Sequence, residues 1–397
     1  MSTPEITEVE DPFIEQLESM GWKHTTGNVN EACATGRESF SDVLLLEELR
    51  VAMGRINVDD EGKPWLDEGR LAQAISQLQW LGAHRLMEAN QKATELLLSG
   101  ALVDGVEGWD GGRARTVHFI DWARPENNTF RAINQFRVDE PGGQAHRYIL
   151  PDIVLFVNGI PLVVVECKSP HISQPLVAAV EQLHRYSNQR GWLEGNEGNE
   201  KLFHTNQFVV GTCGTEARAG TIGASSVHFL EWKDTSPVPM SEVAESLGKT
   251  SLSSQEMLVA GMLRPEHLLD IVRHFTLFSQ LGGKTIKIVC RYQQFRAAHL
   301  AVRRLLRGET RIEDGEHDHR GGLIWHTQGS GKSLTMVFLV RKMRSMPELR
   351  RFKVVIVTDR TDLQRQLSET AELSGDVVQI ARSTAELKRY LSVSGPG

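Results

Sequence analysis

The chain of 397 residues contains no C-x-x-C pair; its four cysteines, Cys33, Cys167, Cys213 and Cys290, are scattered. That spacing fits a reduced compartment better than a disulfide framework or a zinc site. No apolar run reaches the roughly 18 residues that a membrane-spanning helix needs. The opening Met1-Ser2-Thr3-Pro4-Glu5 lacks the basic and then apolar blocks of a secretory leader. A cytoplasmic protein without a membrane partner is expected. Positive charge is also short. Lys and Arg number 44 against 51 Asp and Glu, a net −7, so the broad basic footprint of a stand-alone DNA-binding domain is missing. There is no internal repeat. What remains, 40% hydrophobic and 24% charged residues, is the balance of a folded chain long enough for two or three domains.

Ile6, Val9, Phe13, Ile14, Leu17 and Met20 recur near helical spacing and predict an amphipathic helix over 5–20. Further helices are expected over 37–56 and 67–88. Strand-like runs at 116–121, 130–138, 152–157, 162–167, 207–212 and 226–232 surround a helix over 175–188 that opens on Pro175. Residues 233–256 then turn rich in Pro and Ser. A linker over 236–256 is expected there, dividing a domain of 1–235 from one of 257–397. In the second part, helices over 255–262, 264–278 and 291–306 precede apolar strands at 323–326 and 354–358. A helix opening near Lys332 separates those strands, which is the pattern of a parallel α/β unit.

The segment from Pro151-Asp152 through Asn158-Gly159 to Glu166-Cys167-Lys168 reads as a β-hairpin around a strong turn dipeptide. Glu166 and Lys168, two apart, share a face. A two-residue loop pairs Val157 with Ile160 and sends Asp152 to the other face. A three-residue loop over Val157, Asn158 and Gly159, or an equivalent bulge, pairs Phe156 with Ile160. Asp152 then lies opposite Val164 on the shared face, and this is the expectation adopted. Two carboxylates with hard oxygens suit Mg²⁺, and an adjacent lysine suits the charge that develops in phosphodiester hydrolysis. The competing reading is a core hairpin with polar ends. Against it, Glu166 and Lys168 directly follow the apolar run Leu162–Val165, and charges are rarely buried unless paired or metal-bound. Downstream, Gln182 and Tyr186 are four apart and share a helical face. Glu8 or Glu15 on the first helix are further candidate acids.

Pro151-Asp152, Glu166-x-Lys168 and Gln182-x-x-x-Tyr186 together resemble the nuclease module of the type I restriction enzyme R subunit, a PD-(D/E)xK nuclease of the RecB-like branch. The resemblance implies that Asp152, Glu166 and Lys168 are catalytic, with Asp152 and Glu166 holding the metal. It implies that Gln182 and Tyr186 are an accessory motif, and that an acid on the first helix, best matched by Glu8, completes the metal site.

Thr327-Gln328-Gly329-Ser330-Gly331-Lys332-Ser333 follows an apolar run and opens a helix, the context of a phosphate-binding loop. Lys332 would reach the β- and γ-phosphates of ATP and Ser333 would hold Mg²⁺, with Thr327, Gly329, Ser330 and Gly331 forming the cradle. The strict pattern has Gly where this chain has His326; superfamily 2 motors relax that position, and the R subunit family resembles this stretch. Arg291-Tyr292-Gln293 lies where such motors contact adenine, with Gln293 reading the base edge. Val354–Thr358 followed by Asp359-Arg360-Thr361-Asp362-Leu363 resembles the motor's motif Ia. Arg341, Lys342, Arg344, Arg350, Arg351 and Lys353 form a basic cluster able to track phosphates.

The fold class expected is α/β: a RecB-like restriction-endonuclease fold followed by the start of a RecA-like P-loop motor lobe. No DEAD/DEAH-type acidic motif follows Lys332, so the chain is expected not to sustain ATP hydrolysis alone and reads as the N-terminal portion of a longer subunit. The leading function is the R subunit of a type I restriction-modification system: Mg²⁺-dependent cleavage of double-stranded DNA with ATP-driven translocation, in complex with modification (methyltransferase) and specificity subunits. The alternatives are a repair or recombination nuclease-helicase, and a truncated non-catalytic subunit that docks partners.

Overall fold

The computed structural model describes residues 3–81, 85–106, 108, 110–141, 147–190, 197–358, 370–375 and 377–393. The chain divides into two compact units, Met1–Arg273 with Gln280–Val289, and His274–Ser279 with Cys290–Gly397.

The first unit opens with a π-helical turn, Ile6–Glu10, that runs into α1 (Asp11–Ser19). After β1 (Lys23–Thr26) come α2 (Leu46–Ile56), α3 (Glu68–Gln79) and α4 (Leu86–Ser99), then β2 (Ala101–Val103) and β3 (Arg115–Val117). The chain continues through β4 (Phe130–Asn134), β5 (Val138–Asp139), β6 (Tyr148–Ile149), β7 (Ile153–Val157), β8 (Ile160–Cys167), α5 (Pro175–Tyr186), β9 (Phe208–Thr212) and β10 (Ala217–Gly220). Then follow α6 (Met240–Ser246), α7 (Ser254–Met262) and α8 (Pro265–His274). A six-stranded mixed sheet has the order β1-β4-β7-β8-β9-β10; β1 runs parallel to β4 and β8 parallel to β9, and the other neighbours are antiparallel. Every residue of β7 and β8 is buried, which explains why both read as unbroken apolar runs rather than alternating ones.

Of the two closures expected, a three-residue loop or an equivalent bulge, the hairpin forms the bulge. Its loop has two residues, not three: Val157 pairs with Ile160 and Phe156 with Pro161. Asn158 and Gly159 both have positive φ, 52° and 77°, the signature of a type I′ turn, whose twist matches the flanking strands. A Cβ on Gly159 would lie 2.5 Å from the Leu45 carbonyl oxygen. A bulge supplies the missing register shift. Leu155 pairs with Val163, skipping Leu162, and Ile153 pairs with Val165, so continuing the ladder sets Asp152 across from Glu166 rather than Val164. One extra residue flips a strand's faces, and Leu162 is that residue. Asp152 and Glu166 therefore share the face carrying Val154, Phe156 and Val164, which pack in one core with Val180, Leu183 and Tyr186 of α5.

Other expectations change. The helix expected over 37–56 forms only from Leu46; ahead of it the Arg37 guanidinium is buried 3.7 Å from the Phe136 ring centroid. The run 226–232 is a 3₁₀ turn at Ser226–His228 and a single bridge from Leu230 to Ala219. The division of the chain falls near 273–290 rather than at 236–256, where α6 and the start of α7 stand. Ser residues that suit a linker also suit helix caps: Ser253 forms a capping box with Glu256, and the Ser254 hydroxyl donates to the Ala217 carbonyl. Lys287, in β12 (Lys284–Val289), is buried in the first unit with its ammonium donating to Asn90, Asn206 and Gln207; β11 (Thr276–Leu281) precedes it.

The second unit contains α9 (Tyr292–Arg307), α10 (Arg311–Asp314) and α11 (Lys332–Arg344). Phe275, Phe295 and Phe338 pack together with ring centroids 4.9 and 5.5 Å apart. The strands expected at 323–326 and 354–358 are not formed; the backbone there is irregular, and Leu323 and Trp325 are 92% and 89% exposed. Central parallel strands need hydrogen-bonded neighbours on both edges. Among the described residues no strand is formed at these runs. The residues of the expected motif Ia, 359–363, lie outside the described residues.

Candidate active site

Asp152 ends the approach to β7 and Glu166 is the penultimate residue of β8, so the bulge brings both to one end of the central hairpin. Glu166 is fully buried and Asp152 is 8% exposed. The Lys168 ammonium donates to Glu166 Oε1 and to the Cys167 carbonyl oxygen, while the Cys167 amide donates to Asp152 Oδ2 at 2.7 Å. Glu166 Oε2 is buried with no hydrogen-bond partner. A buried carboxylate oxygen left bare is costly unless a cation or a proton occupies it. Among the described residues no group of three or more His, Cys, Asp or Glu side chains gathers as a metal cage. Two hard carboxylates nonetheless fit Mg²⁺, which keeps several waters and takes one or two protein oxygens.

The electrostatics agree with a site short of positive charge. Burial, with Glu10 and Glu5 behind it, pushes Asp152 up to about 7 against the pull of Lys168 and the Cys167 amide. Burial and then the Asp152 charge raise Glu166 well above the ordinary range. Burial works against the charge of Lys168, but Glu166 and Asp152 outweigh it and hold the amine above its usual value.

Gln182 donates to the Tyr186 hydroxyl, which donates to the Leu150 carbonyl oxygen at 3.0 Å. The pair thus grips the backbone two residues before Asp152. Tyr186 is 1% exposed, and burial and then Glu166 raise its phenol, so it stays protonated and serves as a donor.

Glu8 is not brought to this pair. Its side chain is half-exposed and sits 3.1 Å from His171. The first-helix acids whose charges act on Asp152 are Glu10 and Glu5. Glu10 is 1% exposed and accepts from Asn134 Nδ2 at 2.7 Å and Gln135 Nε2 at 3.3 Å; Glu5 accepts from the Ser169 amide. The sequence held the signal. Glu10 precedes Phe13, Ile14 and Leu17 by three, four and seven residues, so it lies on the apolar face, and Glu8 does not.

In the second unit, Gly331 has φ +80° and precedes Lys332 at the start of α11, leaving a helix N-terminus of the kind that favours anions. Ser330 donates its hydroxyl to the Thr327 carbonyl oxygen, which together with that of His326 also receives the Lys332 ammonium, both at 3.1 Å. Thr327, Gly329, Ser330, Gly331, Lys332 and Ser333 are therefore contiguous around one turn. Gln293, expected at adenine, leaves its Oε1 buried without a partner. Its neighbour Gln294 is the residue on the loop. Gln294 Nε2 donates to the Ser330 and Gly331 carbonyls at 3.3 and 3.1 Å, and its Oε1 accepts from the Arg291 amide. The basic cluster is partly spoken for: Arg341, Arg344 and Lys353 donate to backbone carbonyls of Thr276, Arg350 and Tyr390.

Asp152 supplies a pH test. Folding raises it from 3.8 to about 7, so between those values the folded, metal-free chain keeps a proton that the unfolded chain has lost. The associated stability is present at low pH and is lost as pH rises through about 7. In chelator, the thermal transition of the first unit should fall between pH 5 and pH 8, and Asp152→Asn should flatten that slope. Equal slopes in the two chains would refute the assignment.

The structure thus defines an α/β protein in which two buried acids and an amine gather on one hairpin and a glycine-rich turn opens a helix. Sequence comparison supplies the family. Residues 3–226 match the family model of the type I restriction enzyme R protein N terminus, and residues 293–396 match that of the SWI2/SNF2 ATPases. The chain is 32% identical, over 94% of its length, to the type I restriction enzyme HindI endonuclease subunit of Haemophilus influenzae, of which it covers 33%. It is 27% identical, over 98% of its length, to the putative type I restriction enzyme MjaIXP endonuclease subunit of Methanocaldococcus jannaschii, of which it covers 36%. The chain belongs to the type I restriction enzyme R protein family, and it spans about a third of the length of these curated relatives. Among the described residues no helix is long and apolar enough to cross a membrane.

Proposed function

We propose that this chain carries the cutting centre and the nucleotide loop of a type I restriction R subunit. In this reading the assembled enzyme cleaves double-stranded DNA with Mg²⁺, is driven along DNA by ATP, and works with modification and specificity subunits. The first unit is the RecB-like nuclease, and the second begins the RecA-like lobe. The observation that carries the reading is Glu166: a fully buried carboxylate beside Asp152 with one oxygen on Lys168 and the other bare.

Asp152 and Glu166 would hold Mg²⁺, with Glu10, rather than Glu8, as the first-helix acid that shapes their field. Bound there, the ion supplies charge neutralisation at the phosphoryl group and acidifies water. The remaining work belongs to the chain. Lys168 donates into the space beside Glu166, where charge accumulates on phosphoryl oxygens. The Cys167 amide orients Asp152, and Tyr186 fixes the backbone that leads into it. Charge divides unevenly between the units. The first carries 25 Lys and Arg against 39 Asp and Glu, the second 19 against 12. DNA phosphates are therefore held chiefly by the second unit and by partner subunits, and the acidic first unit acts on strands delivered to it.

Calorimetric Mg²⁺ titration of the full chain and of Glu166→Ala, paired with nicking of supercoiled plasmid, tests the proposal. The variant should lose both the isotherm and the nicking. An unchanged isotherm would overturn it.

A further inference from the structure

The helix that the sequence placed at the edge of a linker is built into the back of the hydrolytic centre. α7 lies against α1 and β10, and its second residue, Gln255, is 3% exposed. Gln255 Nε2 donates to the Val9 carbonyl oxygen at 3.1 Å, in the π turn one residue before Glu10. Its Oε1 accepts from the Thr212 hydroxyl at 2.6 Å. Thr212 pairs with Cys167 across β9 and β8, and its carbonyl oxygen accepts from the Lys168 amide at 2.9 Å. One amide side chain thus joins the turn that bears Glu10 to the strand end that bears Glu166 and Lys168.

Neighbouring bonds hold α7 in this position. Ser254 exchanges hydrogen bonds with the Ala217 backbone at 3.1 and 3.2 Å. Gln16 Nε2 on α1 donates to the Glu256 carbonyl oxygen at 3.0 Å, and Trp22 Nε1 to that of Leu263 at 2.9 Å. These contacts dock the helix; Gln255 among them bonds both to the turn that bears Glu10 and to Thr212, the strand neighbour of Cys167. A buried amide whose two ends are both satisfied specifies one geometry, whereas an apolar residue of equal volume would fill the same space without fixing it. π turns inside helices recur at functional sites, and this one sets Glu10 against Asn134 while directing Val9 O to Gln255.

We infer that Gln255 is a positioning residue of the nuclease centre, setting the spacing between the Glu10 turn and the Glu166–Lys168 strand end. The inference rests on the nuclease reading given above.

The test uses the full chain as Gln255→Leu, Thr212→Val, the double variant and Glu166→Ala, each titrated with Mg²⁺ alone by calorimetry and melted in chelator. Loss of a residue that orients metal-holding groups lowers affinity about 10-fold or more. Gln255→Leu should show that loss with a thermal transition close to that of the unaltered chain. Thr212→Val should show a smaller loss in the same direction, and the double variant should be close to Gln255→Leu, because the bond between the two side chains is already absent there. If Gln255→Leu does not fold, Thr212→Val carries the test by itself, since it cuts the same link from the sheet side. Mg²⁺ affinity within twofold of the unaltered chain in whichever variant folds, with Glu166→Ala losing it, overturns the inference and leaves the nuclease reading standing. Affinity retained in Glu166→Ala overturns the nuclease reading itself.

Discussion

Replacing Lys168 by alanine should lower Mg²⁺-dependent DNA cleavage by about 10²–10³-fold, the scale of removing one preorganised donor from a charge-developing centre, while Mg²⁺ binding persists. The separation follows from the geometry. Lys168 binds Glu166 Oε1 and leaves Oε2 bare, so the amine occupies the carboxylate without closing its second oxygen. Removing the ammonium also removes the nearest positive charge from Asp152 and Glu166, whose protonation it suppresses. Both acids therefore shift further upward in the metal-free chain. The Mg²⁺ titration of Lys168→Ala should then depend more steeply on pH than that of the unaltered chain and converge with it at alkaline pH. Undiminished cleavage in Lys168→Ala would remove the amine from the chemistry.

Lys332→Ala should weaken ATP binding by about 10- to 150-fold, corresponding to a charge-assisted contact of about 1.5–3 kcal/mol. The Lys332 ammonium rests on the carbonyls of His326 and Thr327, two neutral acceptors that a phosphate would readily outcompete. Mg²⁺ binding at the hairpin should be unchanged, because its residues belong to the other unit. Fluorescence titration with a labelled ATP analogue, run beside the Mg²⁺ isotherm, measures both. A variant that binds ATP as tightly as the unaltered chain would show that this turn does not cradle phosphate.

Much of the candidate site was legible in the sequence. Asp152, Glu166 and Lys168 fall at one end of a hairpin because Asn158-Gly159 admits positive φ and the arms are apolar throughout. Their shared face was legible too, though which of its two possible causes, a longer loop or a bulge, was not. A bulge and a longer loop shift register equally, and the choice of Leu162 as the skipped residue depends on packing against neighbouring strands. Glu10 and Gln294, neighbours of the expected Glu8 and Gln293, make the buried contacts for a common reason. Each lies on the apolar face of its helix, three and four residues from core positions. A polar residue there signals a buried partner rather than solvent, and only helical phase distinguishes it from its neighbour.

By itself the sequence determined the candidate residues and their local settings: the hairpin, the glycine-rich turn, the apolar phase of α1 and α9, and the shortage of positive charge. Those are short-range properties, decided by which backbone angles and periodicities a few adjacent residues tolerate. Tertiary structure alone decided which acid faces the pair, which glutamine touches the loop, and that the Ser-rich stretch before α7 is docked rather than free. It also decided that a buried amide at Gln255 ties together segments 246 residues apart. Such links depend on desolvation, since a polar group commits to one partner only where water is excluded, and that environment exists only after the sheet and its helices have closed around it.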